Sequence, residues 1–165
     1  MQEKTAFVLI DPLNDFLHSE GKVYPALKAS IEATDTVNNL QKFVEAARSR
    51  HIPIFYCQHQ LYEEGQFDDW HHMSKSQLRI QQSNTFAAGS FGAEIYKGLE
   101  PDRSNGDAIV SRHWNSRGYH VTIISDATAG FSVELRDVAE KVIWPTIVDE
   151  VSTIDQWTEK SNSAK

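Results

Sequence analysis

The chain reads as an α/β domain in three layers, a mainly parallel sheet flanked by helices. Three observations predict this. The run Thr5–Ile10 is short, apolar and β-branched, and it ends abruptly at Asp11. Such a run suits a strand buried on both faces, as in a parallel sheet. Strand-like and helix-like signals then alternate along the chain, which implies βαβ units. Finally, Asp11, Arg112 and Asp126 all follow strand ends, where open α/β sheets bind their ligands.

Each element has its own signal. Ala29–Arg50 places Ile31, Val37, Leu40, Val44 and Ala47 on one helical face. His51-Ile52-Pro53 stops that helix, and Ile54–Cys57 starts a second strand. Leu61–Asp102 is polar and irregular, with Gly65, Gly89, Ser90, Gly92 and Pro101. It reads as an ordered excursion over the active face. Asp107–Ser111 and Val121–Ser125 are further strands, and Ser132–Ile143 is helical. Leu135, Val138, Ala139, Val142 and Ile143 share one side of that helix. Thr153 and Gln156 have capping-box spacing for a short final helix. Trp144 and Trp157 are expected to pack the C-terminal helices onto the sheet. One domain covers residues 1–160, and Ser161–Lys165 is read as a frayed polar tail.

Composition narrows the function classes. A length of 165 residues fits one domain with a sizeable core. The net charge of −7 argues against nucleic acid and anionic membranes as partners. No apolar run is long enough to span a bilayer, and the start lacks the order of a signal peptide. The single cysteine, Cys57, excludes an internal disulfide framework and fits a reducing compartment, so the chain is read as cytoplasmic. Glu63, Glu64, Asp68 and Asp69 read as a solvated loop. His59, His71 and His72 lack the converging spacing of a metal site, so neither metal nor cofactor is expected.

Asp11 is the leading chemical candidate. A carboxylate at the mouth of an apolar pocket has a raised pKa and exchanges protons with substrate. The competing reading is that Asp11 caps the following turn. Phe16, Trp70, Phe91 and Trp114 are candidates to line a substrate pocket.

Several strings carry a family resemblance. Ile10-Asp11-Pro12-Leu13-Asn14-Asp15-Phe16 resembles the N-terminal signature of the isochorismatase-like, or cysteine hydrolase, superfamily. Gly89-Ser90-Phe91-Gly92-Ala93-Glu94-Ile95, then Leu99-Glu100-Pro101 and Gly106-Asp107, resemble the loop before its third strand. Ile109–Ser116 resembles the stretch that carries the family lysine. Gly118–Val121 and Ser125–Phe131 resemble its later strand and turn. The resemblance implies hydrolysis of a small amide, or of a vinyl ether such as isochorismate, by an Asp–Lys–Cys triad. Asp11 matches the aspartate. Arg112 stands at the lysine position, where its rigid fork and fixed charge are not equivalent. A surface cation near Asp11 is the competing reading of Arg112.

The triad cysteine has no counterpart. In the family it opens a helix after a strand beside the first one, where helix donors activate a thiol. That unit, roughly forty residues and comparable with a βαβ segment, is absent between Ser116 and Arg117. Cys57 lies in a strand and is expected to be buried and inert. From Arg112 to Tyr119 there are eight residues, against about 10–12 for a parallel crossover. Two outcomes follow. Either Val121–Ser125 stays parallel and Arg112–Tyr119 runs extended, or Asn115–Gly118 turns a hairpin and the flanking strands pair antiparallel. Either way, apolar surface beside the lost strand is exposed unless a second subunit covers it. By descent the chain is therefore a hydrolase, impaired or inactive for want of its nucleophile segment. The alternatives are a surviving hydrolase with Asp11 as general acid, and a non-catalytic binding or oligomerisation module.

Overall fold

The computed structural model describes residues 5–71, 73, 75–110 and 121–163. Arg112, Trp114, His72 and the Ser116/Arg117 junction lie outside the described residues. Strand β1 (Phe7–Ile10) leads into a one-turn helix α1 (Asn14–Leu17). Helices α2 (Tyr24–Ala33) and α3 (Thr36–Ser49) precede strand β2 (Ile54–Cys57). Helix α4 (Lys75–Ser83) and strand β3 (Ala108–Val110) follow. The remainder is β4 (Thr122–Ile124), α5 (Val133–Val138), a π-helical continuation (Ala139–Ile143), α6 (Trp144–Ile147), β5 (Glu150–Ser152) and α7 (Ile154–Ser163).

The strands form two parallel sheets. The first has the order β1-β2-β3, with Phe7 opposite Ile54 and Phe55 opposite Ala108. The second pairs β4 with β5, Thr122 opposite Glu150. Among the described residues β3 and β4 do not pair; the turn that would make a hairpin, Asn115–Gly118, lies outside them. One hydrophobic cluster nevertheless joins the two sheets, uniting Phe7 and Leu9 with Ile124 and Ile154. Phe7 sits 4.2 Å from the Phe43 ring and 4.7 Å from Trp157, which fixes α3 and α7 against β1. Trp157 thus packs as the sequence predicts. Asn39 of α3 donates through Nδ2 to the carbonyls of Thr34 (2.8 Å) and Asp126 (3.2 Å), tying the turn after β4 to the helical layer.

Burial of β1 on both faces is not realised. Phe7 and Leu9 are buried, but Val8 is 39% and Ile10 is 75% exposed. In register with them, Phe55, Cys57 and Val110 are only half-buried. Helices cover one face of this sheet, and among the described residues nothing buries the other. A bare face is unusual for parallel strands, whose crossovers normally place helices on both sides. The apolar side of the α5 segment is open too, with Leu135 at 64% and Val142 at 62% exposure.

Other expectations shift for local reasons. The predicted Ala29–Arg50 helix is two helices, broken where Asp35 turns left-handed at φ 50°. Aspartate tolerates that conformation better than most residues. Within the supposed irregular excursion lies α4, whose sequence offers just one buried apolar residue, Ile80. Strand β5 was not legible, since Glu150-Val151-Ser152 has no apolar run. The capping box does form: Thr153 N donates to Gln156 Oε1 at 3.0 Å, and Gln156 N donates to Thr153 Oγ1 at 3.2 Å. Helix α7 continues through Ser163, so residues 161–163 are helical rather than frayed.

At the amino ends of β2 and β3, Asp107 is buried and accepts from the backbone N–H of Ile54 and of Asp102, each at 2.9 Å. Arg48 lies 3.6 Å from the same carboxylate. This network sets the strand register from the end opposite the site.

Candidate active site

The site is built where β1 and β2 end. Ile10 pairs with Cys57, and the next residue, Asp11, still donates its N–H to the Cys57 carbonyl at 2.9 Å. Pro12 cannot donate to a ladder, so the strand stops there. Asp11 adopts a left-handed backbone at φ 52°, which costs an L-residue of this type about 1 kcal/mol. Strain held at a strand end is a reason to suspect function there. The half-buried Asp11 carboxyl is pushed above its ordinary pKa by burial, against the opposing charge of His59 and the backbone N–H of His59, which donates to it.

Two of the strings quoted above for resemblance clasp each other. Leu13 bridges Ile95 in antiparallel fashion, and Asn14 N donates to the Glu94 carbonyl at 2.9 Å. Asn14 Nδ2 donates to the Phe91 carbonyl at 2.9 Å. Asp15, 1% exposed, accepts from the backbone N–H of Phe86 at 2.7 Å and of Lys22 at 3.0 Å. Gly92 sits against this carboxylate, where a Cβ would come within 2.2 Å of Oδ1. In the sequence Asn14 and Asp15 stand out only as part of a family string. That two polar residues begin a helix carrying buried Leu17 was the available sign that they point inward.

The clasp delivers aromatic side chains to the strand ends. Phe16 lies 4.8 Å from the Phe86 ring, and His59 stacks on Phe86 at 4.5 Å with the planes 29° apart. Phe16, Phe86, His59 and Asp11 therefore form one contiguous group. Phe91 points elsewhere, edge-on to His18 at 4.9 Å, and is 47% exposed. Trp70, 49% exposed, packs at 5.0 Å on Phe67, which belongs to the satellite cluster of Leu13, Tyr62 and Ile80. Asp126 is occupied structurally, accepting the Ile154 N–H at 3.0 Å. The groove of about 300 Å³ between α3 and α7, lined by Lys42, Glu45 and Asp155 among others, holds none of these groups.

Cys57 is half-buried rather than fully buried. It belongs to β2, so it has none of the donors that a helix N-terminus gives a reactive thiol. Alkylation of the native protein at Cys57 is accordingly expected to be slow at neutral pH. Cys57→Ser should leave any activity unchanged. Rapid labelling by iodoacetamide, followed by mass spectrometry, or a loss of activity in the serine variant would show that the nucleophile role has moved to β2.

A parallel sheet with a half-buried aspartate at its strand ends, next to the clasp of an Asn-Asp helix and a Gly-Ser-Phe-Gly loop, defines an α/β scaffold. The chain belongs to the isochorismatase family, whose domain model matches residues 5–116. The matched stretch ends at Ser116, where the sequence reading puts the junction. No curated protein matches the chain. Among solved structures, an isochorismatase family protein from Desulfovibrio vulgaris superposes with a TM-score of 0.70 at 14% identity, covering 99% of this chain and 100% of that one. A cysteine hydrolase from Pseudomonas syringae gives 0.66 at 17% identity, with 98% and 94% covered. An N-carbamoylsarcosine amidase from Thermoplasma acidophilum gives 0.56 at 16% identity, with 92% and 96% covered. These likenesses establish the fold. Among the described residues no helix is long and apolar enough to cross a membrane.

Proposed function

We propose that this chain descends from hydrolases of small amides or vinyl ethers and is itself impaired or inactive, because the strand–helix unit bearing the nucleophile is absent. The observation that carries this reading is the divided sheet. Among the described residues β1 is an edge of one parallel sheet, β4 belongs to another, and Val8 and Ile10 of β1 are 39% and 75% exposed. A central strand with its following helix would pair and cover such positions. The amidase name of one structural neighbour fits the amide half of the proposal. Turnover assays on nicotinamide and isochorismate test it, and a rate well above background on either substrate would overturn the impaired reading.

The runner-up is a surviving hydrolase in which Asp11 acts as general acid. Vinyl-ether hydrolysis needs a proton donor rather than a thiol, and burial holds the Asp11 carboxyl toward its protonated form. The open apolar side of α5 favours a homo-oligomer over an isolated subunit. Light scattering at several concentrations tests that assembly, and a concentration-independent monomer mass would exclude it. A lone cysteine and net charge of −7 support a cytoplasmic role without nucleic-acid or membrane partners.

Inserting a family-like strand and helix between Ser116 and Arg117 should raise both stability and activity. A central parallel strand gains pairing on two edges and burial on two faces. The chain as it stands should melt broadly and bind a hydrophobic dye. A sharp, cooperative transition without dye binding would mean that the present fold is fully accommodated.

A further inference from the structure

We propose that two copies of this chain pair reciprocally, the apolar side of α5 and its π-helical continuation on each copy packing over the bare face of the β1-β2-β3 sheet on the other. This rests on the homo-oligomer reading above and deepens it by naming the two surfaces that meet. The strand register defines the first surface. Val8, Phe55 and Ala108 form one row across the sheet, and Ile10, Cys57 and Val110 form the next. Residues paired across a sheet share a face. All six therefore lie opposite the helix-covered side, where Phe7, Leu9, Ile54 and Tyr56 are buried. None of the six carries a charge.

The second surface is helical. Phe131, Leu135, Val138, Val142 and Ile143 are each between 48% and 67% exposed, and α5 with its continuation contains no buried residue. Leu135, Val138 and Val142 are spaced three and four apart, so they line one side. The charges beside them are paired along the same helix. Arg136 Nη1 lies 3.1 Å from Asp137, Arg136 Nη2 lies 2.9 Å from Glu140, and Lys141 lies 3.6 Å from Asp137. The stripe can thus be desolvated without stranding any of these four charges.

Each surface lacks what the other supplies. A parallel sheet is normally covered by helices on both faces, and an amphipathic helix buries its stripe against a neighbouring layer. Among the described residues of one chain neither surface is covered. Area decides between this pairing and the simpler contact of α5 with the same helix of a second copy. The exposed parts of both surfaces together amount to roughly 800 Å² per copy, which is what each partner of a standard stable interface buries. The helical stripe alone amounts to roughly 500 Å² per copy, less than a standard interface needs, and its self-contact would leave Val8 and Ile10 in water. Two different patches exchanged about a two-fold axis also give a closed pair, since each contact occurs twice.

Light scattering over a range of concentrations should show monomer passing to dimer, with hydrophobic-dye binding per chain falling as the dimer forms. Ile10→Lys and Val138→Glu each place a charge beneath the partner and should weaken dimerisation by about 10²-fold or more. Mixing the two variants should restore a dimer, because one contact then sets lysine against glutamate and the other is unaltered. Both positions are exposed in the single chain, so circular dichroism of either variant should match the parent. In a Cys57→Ser background, a short bis-maleimide linker should join Ile10→Cys chains to Val138→Cys chains far more readily than it joins either kind to itself. A monomer at every concentration would overturn this pairing and the homo-oligomer reading together. A dimer whose Val138→Cys chains link only to one another would overturn the pairing and leave the homo-oligomer reading standing. So would a dimer that neither charged variant weakens.

Discussion

Asp15→Ala lowers the stability of the folded chain by about 3 to 5 kcal/mol, the largest effect expected of any single side chain in the clasp. The carboxylate is 1% exposed and accepts from two backbone amides, Phe86 N–H at 2.7 Å and Lys22 N–H at 3.0 Å. Alanine leaves both donors without an acceptor, and a buried donor that loses its partner forfeits its full desolvation cost. In a domain of this size the melting temperature should fall by roughly 10 °C or more. Gly92→Ala should act in the same direction by a different route. Its Cβ would meet Asp15 Oδ1 at 2.2 Å, so the carboxylate or the loop has to move. Denaturant titration of both variants measures this. An Asp15→Ala protein within about 1 kcal/mol of the parent would show that the Phe86 loop is held by something other than Asp15.

Asp11→Asn lowers whatever hydrolysis the chain performs by about 10²-fold or more, as expected for loss of a positioned acid–base group. Asparagine preserves the shape of the side chain and tolerates the left-handed backbone that Asp11 adopts at φ 52°. Its amide cannot supply the proton that a desolvated carboxylic acid can. The fold should therefore survive while the chemistry does not. Thermal melts and kcat/KM measured side by side on the substrate that the parent turns over separate the two effects. An asparagine variant with an unchanged rate would remove Asp11 from the mechanism.

Where local pattern and tertiary environment agree, the sequence was a sufficient guide. The run Phe7–Ile10, the stop at His51-Ile52-Pro53 and the Thr153/Gln156 box each carry their cause within a few residues. The family strings were legible for a related reason, since their residues are fixed by contacts that the strings themselves make, Leu13 to Ile95 and Asn14 to Phe91. Elements stabilised by distant partners were not legible. Helix α4 buries just Ile80 of its nine residues, and β5 forms by pairing with β4 across 28 residues from Thr122 to Glu150. The break at Asp35 depends on a backbone turn that continuous helical periodicity hides.

The sequence by itself determined the α/β class, the isochorismatase family and the placement of Asp11 at the end of the first strand. It could do so because apolar run length, periodicity and strand-ending residues are local properties of the chain. Only the tertiary structure decided which polar residues face one another. Asp15 became a buried clasp, His59 a ring stacked on Phe86, and Val8 and Ile10 an open face rather than a buried one. The physical reason is that burial and hydrogen bonding depend on what other elements cover a residue. A strand reads alike whether its second face is packed or bare.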